Sequence, residues 1–413
     1  MTRILFCVVP EKGHLNPCIG PAQHLRAAGH EVAFYAPADI GDQLAHAGDF
    51  VFLGPSDRPE RHDLSRGASF ASNVKNANWL AAWIRGLLID GTPPLVPPIR
   101  AAMRDWRPDV VVVDPLLYAA AIAAQLEKLT WVSLSNSLNP VLPDSLDSDL
   151  LRTVRDLAPA RHDMFAAFGL TAMFRGCDVI SPFLTIAFTT EALVGTPPPG
   201  VKVVGPAWPA DDRGDETSFP WEQLDDDLPV VYMSMGSQLY YQPDIFNKAI
   251  RALRHLPVQL VLSVGELAGS DLLDITRVAG TDNRVIAMRY VPQLAMLRRA
   301  QVFITHCGAN SIMEALACGT PMLLSPVCND QFHSAYFVEQ SGAGCRIDLA
   351  QASETEIAHA VQRALGPGRL REQASRLAAS YQRDGSAEAA KLISEIALRV
   401  GLERTGSTRA QLR

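Results

Sequence analysis

The sequence predicts an α/β protein built as two doubly wound, Rossmann-like halves. Short apolar runs alternate with helical patterns along the whole chain. The runs are rich in Val, Ile and Leu without polar alternation, as parallel strands buried on both faces require. The alternation is interrupted once, around residues 205–228, by a stretch of different composition. At 413 residues, two domains are the natural expectation.

In the first half the expected strands are 3–9, 31–36, 110–113, 131–134 and 186–189, with 15–28 and 115–125 as two of the crossover helices. In the second they are 230–233, 259–263, 285–289, 301–305 and 322–324. The interruption, GPAWPADDRGDETSFPWEQLDDDL, places Pro206, Pro209 and Pro220 among eight acidic residues and reads as an interdomain linker. The expected boundaries are therefore a first domain 1–205, a linker 206–228, a second domain 229–400 and a frayed tail 401–413. Two such halves leave a cleft between their carboxyl strand ends, where ligands bind in open α/β sheets. A last helical stretch, 387–400, either stays with the second domain or packs back on the first.

Two segments fit this scaffold poorly. Residues 55–100 place Pro55, Pro59, Pro94, Pro97 and Pro98 around NWLAAWIRGLLI, and residues 137–170 contain Pro140, Pro143 and Pro159. They are either walls for an apolar acceptor substrate or surface helices packed on the core.

Composition narrows the function classes. A chain with 48% hydrophobic and 20% charged residues is globular, and a net charge of −7 argues against broad electrostatic binding to nucleic acid or anionic lipid. Any nucleotide must be held by shaped loops and backbone amides. The seven cysteines form no C-x-x-C pair and read as reduced core residues of a cytosolic protein. The apolar run after Arg3 is short and meets Pro10, Glu11 and Lys12, as a first strand does and a signal peptide does not. No stretch approaches the ~20 apolar residues of a membrane span. A cytoplasmic location, without nucleic-acid or membrane partners and as monomer or homodimer, is expected.

Chemistry concentrates in ITHCGANSIMEALACGTPMLLSPVCNDQ, residues 304–331. It reads as a strand ending at Thr305, a tight turn, a helix from Ala309 and a second strand ending near Pro326. Helix N-termini present unpaired N–H groups and partial positive charge, which suit phosphates. Gly308 lets a diphosphate approach the backbone, Asn310 and Ser311 add side-chain donors, and His306 lies just ahead. Glu314, one turn beyond Asn310, can accept bonds from ribose hydroxyls. Taken singly, Asn310 or Ser311 reads as a helix cap and Glu314 as solvated; taken together, they read as a nucleotide site.

Led by Tyr290-Val291-Pro292-Gln293 and closed by Asp330-Gln331, this block resembles the donor signature of the family 1 glycosyltransferases. That UDP-glycosyltransferase-like family includes plant natural-product, bacterial macrolide and animal glucuronosyl transferases. The resemblance, T-H-C-G-x-N-S-x-x-E…G-x-P-M…P…D-Q, runs from residue 290 to 331 and implies the GT-B fold. It implies inverting transfer of a hexose from a nucleoside-diphosphate sugar, a co-substrate, with no cofactor. It also implies that Tyr290, Val291 and Gln293 hold the base and Glu314 the ribose. By the same match His306, Asn310 and Ser311 hold the diphosphate, and Asp330 and Gln331 contact sugar hydroxyls. Tyr290 and Ala309 stand where plant members usually have tryptophans, which points to the bacterial branch. The Asp330-Gln331 ending leans toward UDP-glucose, with a dTDP-sugar left open.

Two further places extend the match. Met233-Ser234-Met235-Gly236-Ser237-Gln238 is like the family's strand-then-Gly-Ser loop, and Ser237 is a candidate for the donor phosphate. Gly13-His14-Leu15-Asn16-Pro17 follows the first strand as the family's G-H-x-x-P segment does. An imidazole, with an ordinary pKa of about 6.5, suits removal of an acceptor proton. Asp114 ends the strand VVVVD at the same sheet edge and can orient His14; before Pro115 it also fits a helix N-cap. The expected reaction is a single displacement in which His14 takes the acceptor proton and the nucleoside diphosphate leaves against the helix 309–318.

No metal is expected. Asp147-Ser148-Asp149 reads as a solvated turn, Asp225-Asp226-Asp227 as linker, and His24, His30 and His359 as ordinary structure. Neither G-x-G-x-x-G nor a P-loop is present. The expected acceptor is a hydrophobic small molecule, with Trp79 and Trp83 as wall candidates. The alternatives are a nucleotide-sugar-binding partner without activity and a GT-B sugar-nucleotide epimerase.

Overall fold

The computed structural model describes residues 2–55, 66–211, 213, 218–275 and 284–411. The chain forms two compact units, one of Met1–Glu60, Asn78–Asp215 and Arg383–Arg413, the other of Arg61–Ala77 and Glu216–Gln382.

The first unit contains β1 (Arg3–Cys7), β2 (Glu31–Tyr35), β3 (Val51–Phe52), β4 (Val110–Val113), β5 (Thr130–Ser135), β6 (Met173–Arg175), β7 (Asp178–Ile180), β8 (Thr185–Ala187) and β9 (Val201–Val203). Seven of these form a parallel sheet in the order β3-β2-β1-β4-β5-β8-β9, while β6 and β7 pair as an antiparallel ribbon. Every residue of β4 is buried, which is why its sequence is an unbroken valine run. The strands missed by the sequence reading, β3, β6, β7 and β9 here and Gly344–Arg346 in the second unit, are two or three residues long, too short for a periodic signal.

The two irregular segments are largely helical. Helices Ala77–Arg85, Val96–Trp106, Asp149–Asp156 and Ala158–Ala166 supply Ile84, Ile99, Met103, Val154 and Phe165 to the core that includes β4. Trp83 packs on that core and Trp79 stacks on Trp83, with ring centroids 6.4 Å apart. Pro59 lies outside the described residues. Helix Gly67–Asn73 corrects the first boundary. It groups with the second unit, where the Gly67 N–H donates to the Gln238 carbonyl at 3.3 Å and Phe70 is buried. A short helix carries no local mark of which core it will join.

The second unit contains β10 (Val230–Ser234), β11 (Gln259–Ser263), β12 (Val285–Met288), β13 (Ala300–Thr305), β14 (Met322–Leu324) and β15 (Gly344–Arg346), an all-parallel sheet in the order β12-β11-β10-β13-β14-β15. One face, including Val231, Met233, Leu262, Val302 and Ile304, packs against helices Pro243–Leu253 and Glu354–Leu365. The acidic stretch read as a linker is fastened at both ends. Gln23 accepts the N–H of Ala210 at 2.8 Å in the first unit, and the Gln259 amide bonds the Asp225 and Leu228 carbonyls in the second. Residues 212 and 214–217, between them, lie outside the described residues.

The last helix, Gly385–Gln411, belongs to the first unit and packs on helix Lys12–Ala27. His30 bonds Ser394 at 3.0 Å, and His24 lies 3.0 Å from Asp384. Its backbone is helical past residue 401, where the sequence reading placed a frayed tail; Leu402, Glu403 and Arg404 have good helix propensity. All seven cysteines are free thiols. Among the described residues, no helix is long and apolar enough to cross a membrane.

Where helices Lys12–Ala27 and Gly385–Gln411 meet, Gly20 is the contact residue. A Cβ there would lie 2.1 Å from the Trp208 carbonyl oxygen and 2.3 Å from Ser386 Oγ. Gly20→Ala is expected to destabilise the first unit by about 1–3 kcal/mol, read as a lowered thermal midpoint. An unchanged midpoint would show that this helix contact yields freely.

Candidate active site

In the first unit the chain leaves β1 and enters helix Lys12–Ala27 with Glu11 as N-cap, so His14 lies in the first turn, its N–H 2.8 Å from the Glu11 carbonyl. Pro17 has no N–H to offer the Gly13 carbonyl four residues back. That carbonyl accepts from Asn136 Nδ2 at 3.4 Å, at the end of β5. The neighbouring strand β4 brings Asp114 to the same edge, its N–H 2.9 Å from the Cys7 carbonyl. The Asp114 carboxylate is 2% exposed; Oδ2 lies 2.7 Å from His14 Nδ1, and Oδ1 accepts the Leu116 N–H at 3.0 Å. The following helix starts only at Tyr118, with Leu117 as N-cap, so the capping alternative for Asp114 fails. With Nδ1–H donating to the carboxylate, the lone pair of the ring resides on Nε2. Cys18, one turn beyond, is no nucleophile, because burial and the Asp114 charge both raise its thiol.

In the second unit, β10 and β13 are paired with Ser234 opposite Thr305, so the loops that follow them lie side by side. Cys307 takes a left-handed φ of 71°, held by a bond from its N–H to Thr305 Oγ1 at 3.1 Å. Gly308 has an ordinary φ of −59° and is the N-cap of helix Ala309–Cys318, with no side-chain cap. Asn310 and Ser311 are inside the first turn and do not cap it. The N–H groups of residues 309–311 therefore lack intrahelical acceptors.

The glycines here make room for His306. A Cβ at Gly308 would lie 2.6 Å from His306 Nε2, and one at Gly236, itself at φ 77°, would lie 2.5 Å away. His306 is half-buried as a residue, and desolvation of its ring pushes the imidazole down to about 4, opposed by the Ser234 backbone. His306 is neutral at neutral pH, and its buried Nδ1 has no hydrogen-bond partner among the described residues.

Gln293 starts helix Gln293–Leu297 and bridges to helix Ala309–Cys318, its Nε2 lying 3.1 Å from Ser311 Oγ and 2.6 Å from Glu314 Oε2. Glu314 is 7% exposed and so is not solvated. Tyr290 is half-buried, whereas Val291 is core, leaving its side chain no access to a base. Ser237 is exposed beside Gly236. Asp330 is the N-cap of helix Gln331–Ser341, behind Asn329 at a left-handed φ of 54°. Gln331 Oε1 accepts from the N–H groups of Val327 at 2.8 Å and Cys328 at 3.2 Å, and its Nε2 donates to Cys328 Sγ at 3.8 Å, so the side chain holds its own loop.

The Asp147 segment also departs from expectation. Ser148 Oγ caps helix Asp149–Asp156 through the Leu151 N–H at 3.2 Å, and Asp147 pairs with Arg152 and Arg155. Among the described residues, no group of three His, Cys, Asp or Glu is placed to hold a metal ion. The sequence reading missed Thr305, Asn136 and Tyr232. Pro17 was the available signal for Asn136, because a proline in a helix frees a carbonyl that something must satisfy.

The buried neutral imidazole makes the second unit acid-sensitive. Folded His306 titrates near 4 and an unfolded histidine near 6.5, so the unfolded chain binds more protons in that window and stability falls as pH falls through it. Between pH 7 and pH 5 this group should remove up to about 2 kcal/mol. Urea midpoints at the two pH values should differ less in His306→Gln than in the wild type; an equal difference would contradict the assignment.

Comparison with known proteins places this geometry. Residues 211–385 match the family model described as UDP-glucoronosyl and UDP-glucosyl transferase, and residues 23–190 match the N-terminal domain of erythromycin biosynthesis protein CIII-like proteins. An uncharacterized UDP-glucosyltransferase of Bacillus subtilis, YojK, is 27% identical over 411 residues, covering 94% of this chain and 96% of its own. The demethyllactenocin mycarosyltransferase of Streptomyces fradiae is 25% identical over 415 residues, covering 93% and 84%. The solved structure of the spinosyn rhamnosyltransferase SpnG complexed with thymidine diphosphate shares the fold, with TM-score 0.72 at 20% identity over 95% of this chain and 100% of that one. Two parallel α/β units with these matches make the fold GT-B and the chain a glycosyltransferase, whose second unit matches the UDP-glucoronosyl and UDP-glucosyl transferase family and whose relatives include bacterial macrolide and natural-product enzymes.

Proposed function

We propose that this glycosyltransferase moves a hexose, with inversion, from a nucleoside-diphosphate sugar to a hydroxyl of a hydrophobic natural-product acceptor. UDP-glucose is the favoured donor and a dTDP-sugar the second. The observation that carries the reading is the buried Asp114 carboxylate 2.7 Å from His14 Nδ1. The names of the mycarosyltransferase and the rhamnosyltransferase support a small-molecule acceptor; the thymidine diphosphate of the latter keeps a dTDP-sugar open, and the name of YojK supports a UDP-sugar.

In this mechanism Asp114 fixes the tautomer, so that His14 Nε2 receives the acceptor proton. The carboxylate then stabilises the imidazolium from a buried position, where a charge pair is stronger than in water. The freed oxygen attacks the anomeric carbon opposite the leaving diphosphate, which inverts that centre. The first-turn N–H groups of helix Ala309–Cys318 stabilise the charge that develops on the diphosphate, and neutral His306 serves as a hydrogen-bonding ring. Because fixed dipoles carry that charge, the reaction is expected to run without a resident cofactor or metal.

His14→Ala should lower kcat by roughly 10²–10⁴-fold, and Asp114→Asn by a comparable factor, while donor binding persists. A fully active His14→Ala would remove the general base from the mechanism. Wild-type protein that binds donor yet turns nothing over would favour the inactive binding partner. Calorimetric titration with UDP and dTDP in EDTA should give roughly micromolar binding, near −8 kcal/mol, for one of them. Binding restored only by added divalent metal would overturn the metal-free reading.

A further inference from the structure

Among the buried polar groups that the donor mechanism does not use is the hydroxyl of Tyr232. Tyr232 is 1% exposed and sits in β10 opposite Phe303 of β13, their rings stacked at 5.0 Å and 7°. Its neighbours Val231 and Met233 face the other side of the sheet, in the main core of the unit. Tyr232 and Phe303 therefore lie on the opposite face, and the stack leaves the phenol ring little freedom.

The hydroxyl lies 3.3 Å from Gln293 Oε1, while Gln293 Nε2 donates to Ser311 Oγ at 3.1 Å and to Glu314 Oε2 at 2.6 Å. The chain of contacts runs from the sheet through one amide to the helix that carries the candidate ribose carboxylate. An amide can be reversed by rotating it half a turn, and reversal would set its oxygen against the Glu314 carboxylate. A phenol that donates to Oε1 opposes that reversal. Burial raises the Tyr232 hydroxyl, so it remains a protonated donor at any pH the fold tolerates. Both ends of the Gln293 amide are thus engaged within the unit.

We propose that Tyr232 is a positioning residue: through Gln293 it fixes the Glu314 carboxylate for the 2′- and 3′-hydroxyls of a ribose, and so sets the preference for ribo- over 2′-deoxyribonucleotide donors. This inference rests on the donor reading above. Without the Tyr232 hydroxyl, Gln293 loses the anchor on its oxygen, and the partner of the carboxylate is held less firmly. The first-turn N–H groups of helix Ala309–Cys318 do not depend on this amide, so the larger part of the effect falls on the ribose hydroxyls.

The test is calorimetric titration of the full-length protein with UDP and with 2′-deoxy-UDP. The wild type should prefer UDP. Tyr232→Phe should reduce that preference about three- to tenfold, the size of one modest hydrogen bond, with affinity for 2′-deoxy-UDP nearly unchanged. Gln293→Met should give the same reduction, and the double variant no more than either single one, because both changes break one chain. Should Tyr232→Phe fail to fold, Gln293→Met carries the test. Full preference retained in the variants, or equal weakening for both nucleotides, would reduce Tyr232 to a core residue and leave the donor reading intact. Equal wild-type affinity for the two would also overturn the inference. Binding of neither would instead remove the donor reading itself.

Discussion

Parallel strands cannot be joined by a tight turn; each needs a crossover, and in both sheets the crossovers change sides once. In the first unit the chain builds outward from β1 to β3, then restarts at β4 on the other side of β1. In the second it builds from β10 to β12, then restarts at β13. At such a reversal the following helices depart on opposite faces, and the carboxyl ends of two adjacent strands stay open. His14 and Asp114 come from the β1/β4 pair, and the Gly236 and His306 loops from the β10/β13 pair. The backbone pairing sets these distances, so each constellation inherits the rigidity of a sheet buried on both faces.

That inheritance matters for a chain of net charge −7 that is proposed to hold a diphosphate. The candidate site uses N–H groups without intrahelical acceptors and an imidazole kept neutral by burial. Donors of this kind act only when aimed, because their field falls off within about one helical turn. A lysine on a flexible stem could search for its partner; a helix terminus between two glycine loops cannot. The demand for rigid strands beneath the site and the choice of uncharged donors are one requirement seen from two sides.

The fold was legible because parallel strands buried on both faces leave unbroken apolar runs such as Val110–Val113. The short edge strands leave no such pattern. The candidate site was legible where residue identity carries the signal: His14, Asp114, His306 and Glu314 are chemically distinctive at their spacing, and the structure sets His14 beside Asp114. It was not legible where function depends on packing. Nothing in a string shows that Val291 points into the core, that Gln331 uses its oxygen on its own loop, or that a Cβ at Gly308 would meet the His306 ring. Tyr232 read as one more apolar strand residue, because its hydroxyl acquires meaning only from a helix 61 positions away.

The loop after β13 also breaks local rules. Cys307 is left-handed without being glycine, and His306 has a buried Nδ1 without a hydrogen-bond partner among the described residues. Each costs on the order of 1–3 kcal/mol. A sequence selected for stability alone would place Asn or Gly at 307 and an apolar residue at 306. The compensation is visible in the surroundings: Thr305 is fully buried and bonded to the Cys307 N–H, and β13 is paired on both sides by apolar parallel strands. Strain confined to one loop and supported from beneath is the pattern expected where a fold meets its ligand. It also explains why neighbouring positions are so constrained. Gly236 and Gly308 have no freedom to vary while His306 stays, because the ring occupies the space that either Cβ would need.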